Sequence, residues 1–520
     1  MQNNVLIIGA GGAGLASALF AHKNGAKVKI LTKEYPTRSQ TSMAQGGINA
    51  ALGNVESDSI ESHIRNTLKS SHNLADEKQV EFLCSQAPQA IEWLESIGVP
   101  FSRTQDAKVA QRKLGGASAS RACYAQDYTG LKILHTLYDR VLAEEIEILN
   151  ERYLLNISQD KDGVNGVDVL NIQSGEVEHY NASSVIIATG GYSRVYTHHS
   201  TNSTSSTGDG IAVALRAGAK VSDMEFVQFH PTALKNSSIL ISESARGAGG
   251  HILNSKNERF IDELLPRDEV SRAIHNEMQK GENIFLDIRH LGEKFLDEEL
   301  PQERKLAKLY ENVDPLHQLI PIKPAPHYTM GGIEVDESCA TNIAGLFSVG
   351  ECANHHVHGA NRLGGNSLLE LIVFAQVAGK QSAKYAKKNL SQKTDTTYKL
   401  EYNATNIEID FYTIKDELGE LFYNNVGITR EKTQLQEALE KVKYFETLLS
   451  KMGVEDDSKI YNTNLIEFLE FKNLLYLSRF IILGALQRKE SRGAHYRVDF
   501  MQEDNSFAKQ IVLDKDGVEI

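Results

Sequence analysis

Residues 5–33, VLIIGAGGAGLASALFAHKNGAKVKILTK, decide the fold. Val5–Ile8 is a short apolar run of the kind that forms a buried strand. Gly9, Gly11 and Gly14 follow in the G-x-G-x-x-G spacing, and LASALFAHKN then reads as a helix ended by Gly25. Residues 26–33 are a second strand. Such glycines allow the tight turn, bring a pyrophosphate close to the backbone and let helix and strand pack closely, while the helix N-terminus favours the phosphate charge. The strand–turn–helix context is what gives this short motif its meaning. Where an acidic residue would meet the ribose, Thr32 and Lys33 occupy the end of the second strand and Glu34 comes one place later. The ribose contact stays open at this point.

Two distant stretches fit the same nucleotide. VIIATGGYS (185–193) is an apolar run ending in Gly190 and Gly191, followed by Asp209 in TGDG, and GLFSVGECA (345–353) ends in a glycine beside Glu351. A strand-end carboxylate suits the ribityl hydroxyls of a flavin. The expected fold class is α/β, with a Rossmann-like FAD-binding domain assembled from separated segments.

The segment between them, EFVQFHPTALKNSSILISESARGAGGHILNSKNERFIDELLPRD (225–268), concentrates His230, Ser242, Glu243, Arg246 and Arg267. These groups are costly to bury without partners and together suit a small dianion. Across all 520 residues the net charge is -13, which excludes a general nucleic-acid surface but not a local anion site. Cys84, Cys123, Cys339 and Cys352 are scattered without a C-x-x-C pair and read as buried free thiols. No metal ligand set is assigned. LLYLSRFIILGAL (474–486) is too short for a membrane span and carries Arg479, and the N-terminus shows no export signal.

Seven stretches then carry a specific resemblance: PTRSQTSMAQGGINAALGN (36–54), DYTGLKILHTLYD (127–139), MEFVQFHPTAL (224–234), LDIRHLG (286–292), PAPHYTMGGI (324–333), HGANRLGGNSLLEL (358–371) and RKESRGAH (488–495). The chain resembles the flavoprotein subunits of fumarate reductase and succinate dehydrogenase, relatives of the L-aspartate oxidases. The resemblance implies an inserted α+β capping domain and a C-terminal helical domain. It divides the chain into a FAD-binding domain (1–224 and 335–396), a capping domain (225–334), a helical domain (397–497) and a tail (498–520). It also implies FAD-dependent interconversion of fumarate and succinate, with hydride from flavin N5 and a proton from Arg267. Glu243 and Arg246 would relay that proton, and His230, Ser242, His327 and Arg362 would hold the carboxylates. Gly9, Gly11, Gly14, Thr32, Lys33, Ser39, Gln45, Gly46, Gly47, Gly190, Gly191, Asp209, Glu351, His358, Ser367 and Leu368 would hold FAD, His358 near the flavin pyrimidine. The partners implied are an iron–sulfur subunit and a membrane anchor, at the cytoplasmic face of the inner membrane.

Gln40 and Ala248 depart from the family pattern, Ala248 replacing the glutamate of RGEGG while Glu243 remains, and Leu114 separates the chain from its oxidase relatives. Gln40 stands where membrane-bound members carry the histidine that links flavin covalently, so the FAD is expected to be non-covalent. Leu114 stands where the aspartate oxidases carry a glutamate for the substrate amine, which favours an amine-free dicarboxylate over the L-aspartate oxidase alternative. The joint presence of His230, Arg267, His327 and Arg362 argues against the other alternative, a flavin-binding subunit without turnover. Helices are expected in the second half of 397–453 and from about Leu465 to Arg488, with Arg488, Arg492 and His495 facing the flavin and the partner.

Overall fold

The computed structural model describes residues 4–389, 398–405 and 407–519. Strand β1 (Asn4–Ile8), helix α1 (Gly12–Lys23) and strand β2 (Lys27–Thr32) form where the glycine pattern places them. A Cβ on Gly9 would lie 2.3 Å from the Ala188 carbonyl oxygen, and one on Gly14 would lie 2.0 Å from that of Gly9. Glycine is therefore what lets α1 start this close to the sheet. β3 (Glu147–Asn150) and β4 (Ser184–Ile187) come from later in the chain. The 185–193 stretch is thus strand only as far as Ile187, because the chain then turns through Gly190 at φ 74°.

A second unit follows. β5 (Val227–Leu234), the short helix α2 (Glu243–Gly247), β6 (His251–Leu253), α3 (Arg267–Gln279), β7 (Ile284–Asp287), α4 (Pro301–Glu311) and β8 (Ile320–Thr329) succeed one another. Their strands pair antiparallel in the order β5-β8-β7-β6. Leu234, Ile252, Val270, Ile274, Leu286 and Ile322 give this unit its own apolar core.

The chain then returns to the first sheet. β9 (Leu346–Ser348) pairs parallel with β4 and completes the order β9-β4-β1-β2-β3. α5 (Asn366–Lys388) lies on α1 so closely that a Cβ on Gly379 would stand 2.6 Å from the Ser17 carbonyl oxygen. The glycine turn after β1, the end of β4 and the end of β9 therefore open at one edge of a parallel sheet, where such folds bind nucleotides.

Three helices close the chain: α6 (Phe411–Asn425), α7 (Lys432–Leu448) and α8 (Thr463–Gln487). Leu474, Phe480 and Ile481 of α8 are buried in the core. Among the described residues no helix is long and apolar enough to cross a membrane, and the four cysteines are buried free thiols. Beyond α8 the chain folds back. Val512–Leu513 pairs with Val221–Ser222, and Arg488 is fully buried against Glu225 (2.6 Å), Glu490 (3.2 Å) and Asp223 (3.3 Å). Arg492 pairs with Glu490 at 2.8 Å, and His495 Nε2 meets the Arg488 carbonyl. The expectation that these three residues face the flavin is corrected: their charges and ring are spent tying the C-terminal segment to the body. Removing one partner of such a buried pair costs roughly 3–5 kcal/mol.

Candidate active site

One cavity runs from the glycine turn to the charged residues of the second unit. It is lined along its length by residues of both the nucleotide-binding sheet and the second unit. The N-terminus of α1 contributes Gly11, Gly12 and Ala13, and the first turn of α5 contributes Ser367 and Leu368. Both helix starts present N–H groups that have no intrahelical acceptor. Ser39 Oγ, Gln45 Oε1 and Thr189 Oγ1 are buried in this wall without any protein partner. A Cβ on Gly190 would meet nothing within 4 Å, so the backbone there is open to a ligand. Polar atoms awaiting partners, two helix N-termini and a glycine cradle fit FAD.

The ribose region resolves the open assignment in part. Lys33 Nζ is held by Glu470 (2.6 Å), Asp209 (2.7 Å), Thr207 Oγ1 (2.9 Å) and the Ser205 carbonyl (3.2 Å). Burial disfavours its charge, but Asp209 and Glu470 more than offset this and raise its pKa. Asp209 in turn accepts from Lys33 and Thr207 on one oxygen and from Tyr153 and Asn473 on the other. Both groups line the cavity with their bonding capacity already used. Glu34 also lines it. Glu351, at the end of β9, accepts from Thr329 N–H at 3.0 Å, and burial pushes it up to about 7. Gly191 stands beside it, where a Cβ would lie 2.5 Å from the carboxylate.

The other end is an arginine cluster. Glu243 opens α2, and its Oε2 accepts from Arg267 Nε (3.0 Å) and Nη2 (2.5 Å), Arg267 being the first residue of α3. Glu243 Oε1 accepts the Gly115 N–H (2.9 Å) and lies 3.3 Å from Arg246 Nη2. Burial alone would raise this carboxyl, but Arg267 and Arg246 hold it below the usual range. Arg267 also donates to Gln228 Oε1 at 3.0 Å, and Gln228 donates to the Arg362 carbonyl. Arg362 is 3% exposed, its Nε has no partner, and its guanidinium stacks 4.2 Å over the Tyr328 ring. Burial, then Arg267, lowers it to about 10. Three guanidiniums thus gather around Glu243 in a buried space, with Glu351 also acting on Arg362, and the balance is positive.

The histidines are donors rather than cations. His230 Nδ1 accepts the Thr232 N–H at 3.2 Å, which puts the ring proton on Nε2. His327 stands 5.0 Å away, ring to ring, with Nδ1 on the Thr201 hydroxyl at 2.8 Å. Burial, reinforced for both by the positive charge of Arg267, lowers both pKa values well below the ordinary histidine range. Ser242 Oγ accepts from both the N–H (3.1 Å) and the hydroxyl (2.7 Å) of Ser244, so its own proton remains to donate. His230, Ser242, Glu243, Arg267, His327 and Arg362 all line the cavity, and Arg246 stands one step behind. His358 is not in the wall: its Nε2 is taken by Glu370 at 2.9 Å, behind Tyr328. Sequence reading missed Gln228, which joins Arg267 to Arg362, although it lies in the quoted FVQFHP run. It also missed Tyr328, next to His327, and Gly364, where a Cβ would lie 2.5 Å from Glu243.

Fold and cavity together define a flavoprotein with an anion site abutting its dinucleotide site. The description "FAD binding domain" matches residues 4–368, and "Fumarate reductase flavoprotein C-term" matches 415–520. The chain is 37% identical over 545 residues to the 8-methylmenaquinol:fumarate reductase flavoprotein subunit of Wolinella succinogenes, covering 99% of this chain and 89% of that one. It is equally 37% identical to the succinate dehydrogenase flavoprotein subunit of Coxiella burnetii, covering 99% and 95%. A solved variant of the Escherichia coli quinol fumarate reductase superposes with a TM-score of 0.93 at 35% identity, covering 100% and 96%. The chain belongs to the fumarate reductase and succinate dehydrogenase flavoprotein family. The tautomer assignment is open to direct test. Histidine ring ¹⁵N shifts, assigned with His230→Asn, should show His230 as the Nε2–H form with no titration step down to about pH 5; a step near 6.5 would contradict it.

Proposed function

We propose that this chain interconverts fumarate and succinate with FAD as its cofactor, as the flavoprotein subunit of a respiratory complex. The observation that carries the reading is the buried arginine cluster, which matches a dicarboxylate in sign. Bound FAD supplies the hydride donor or acceptor. The chain's residues do the rest. Arg362, pre-stacked on Tyr328, clamps one carboxylate with its planar fork. His230 donates to the carboxylate from Nε2, and Ser242 adds its hydroxyl proton. Fixed donors of this kind favour charge that builds up on the substrate in the transition state.

Arg267 is the proton donor to the substrate carbon. Free arginine is a poor acid, with a pKa above about 12. Its two contacts with Glu243 Oε2 support a relay that restores the proton, and Arg246 on Oε1 holds the other end. Leu114, 2% exposed in the cavity wall beside Gly46, offers no group for a substrate ammonium. That favours an amine-free dicarboxylate over aspartate.

Relatives named as flavoprotein subunits support a place in a multi-subunit complex; the partners of this reading are an iron–sulfur subunit and a membrane anchor, with the chain a peripheral subunit on the cytoplasmic side. We place the domain boundaries at 1–224 with 335–396 for FAD, 225–334 for the cap, 397–497 for the helices and 498–520 for the tail. The separate core around Leu234 and Ile322 supports the cap. The flavin is held non-covalently: Gln40 lines the cavity, and its Oε1 accepts the Ser203 N–H at 2.6 Å.

Two outcomes are expected. Denaturation in acid should release all the FAD to the supernatant, whereas yellow colour on the precipitated chain would show a covalent bond. Arg267→Ala should lower fumarate reduction by at least about 10³-fold with FAD still bound, the loss of a group that acts in the transition state. Turnover within tenfold of wild type would remove Arg267 from the role.

A further inference from the structure

Beneath the substrate end lies a carboxyl pair that the mechanism does not use. Glu303 is the third residue of α4 and is fully buried. Its Oε1 accepts the Ser242 N–H at 3.2 Å, and its Oε2 has no protein partner. Asp127, equally buried, comes from the FAD-binding part just before the helix Thr129–Ala143. Its Oδ2 accepts the N–H groups of Gln302 (2.7 Å) and Glu303 (3.4 Å), capping α4 from outside, and its Oδ1 is also unpartnered. Asp127 therefore sets α4, α4 sets Glu303, and Glu303 sets the residue whose hydroxyl faces the substrate.

We propose that Glu303 is a positioning residue of the dicarboxylate site, acting through the Ser242 backbone. This rests on the reading of the site as one for a dicarboxylate. The surroundings disfavour a second charge beside the first. Asp127 already occupies the α4 N-terminus, where burial pushes its pKa up to about 6 while the Gln302 and Glu303 N–H groups favour its anion. The other titratable groups facing the pair are Arg112 and Tyr128. Arg112 is stacked 3.8 Å over Tyr124 and bonded to the Gln126 carbonyl, so it compensates one carboxylate at most. Burial, then Asp127, pushes the Glu303 pKa well up. A second anion there would subtract from the positive excess that holds the substrate. The sign follows: as pH rises and Glu303 ionises, dicarboxylate affinity falls.

The test uses the FAD-loaded protein with Glu303→Gln and Glu303→Leu. KM and kcat for dye-linked fumarate reduction, and the succinate dissociation constant from flavin absorbance, are measured from pH 7 to 9, above the titration of Asp127 and below the range where Arg362 discharges. Wild-type KM should rise toward pH 9. Glu303→Gln, which keeps an acceptor without the charge, should match wild type at pH 7 and lose the alkaline rise. Glu303→Leu leaves the Ser242 N–H buried and unpaired and should raise KM about tenfold, with kcat within twofold and FAD content unchanged. Should the leucine variant fail to fold, the glutamine profile still decides: an alkaline rise identical to wild type overturns the proposal. Variants indistinguishable from a wild type that binds succinate would overturn this proposal alone. A wild type that shows no flavin perturbation by succinate would overturn the substrate reading with it.

Discussion

Arg246, Arg267 and Arg362 are buried together with Glu243 as the one carboxylate between them, and much of the structure serves to tolerate that. An unpaired guanidinium taken out of water is expensive, and the cost falls when fixed dipoles or an incoming anion replace the solvent. Glu243 uses both oxygens on two arginines and a backbone N–H. Gln228 links Arg267 to the backbone of Arg362, and Tyr328 offers its ring face to the remaining guanidinium. Both histidines stay neutral because they are buried, and the positive charge of Arg267 reinforces this. The site is an anion-shaped deficit held open by packing.

Two units must meet to build it. Glu243 and Arg246 come from the short helix α2 and Arg267 from the first position of α3, both in the second unit, while Arg362 and Gly364 come from the turn before α5. Glycines make the meeting possible: a Cβ on Gly115 would stand 2.4 Å from Glu243 Oε1, and one on Gly364 would stand 2.5 Å from Oε2. The carboxylate is thus gripped by bare backbone on both sides. The same economy operates at the other end of the cavity, where Gly9 and Gly14 let α1 abut the sheet.

The glycine turn, the three sheet segments and the six side chains of the substrate end were legible in the sequence, because each is a local pattern or part of an unbroken motif. What was not legible depends on contacts between distant segments. Lys33 and Asp209 sit where cofactor contacts belong, yet Glu470 from α8, more than four hundred residues later, saturates the lysine. Arg488 and Arg492 looked like interface residues, but carboxylates from 223, 225 and 490 absorb them. His358 lies inside a telling motif, and only the pairing with Glu370 shows that its ring stands behind the wall. Side-chain partners at long range carry no periodicity, so no spacing reports them.

The central claim is that the site demands two negative charges on the substrate. The most direct measurement compares succinate with its monoamide, which has nearly the same shape and one charge fewer, by flavin absorbance at fixed ionic strength. With Arg246, Arg267 and Arg362 buried around the site, the monoamide should bind at least about a hundredfold more weakly, the loss of a desolvated charge-assisted contact worth roughly 3 kcal/mol. Equal affinities for the two would contradict the account.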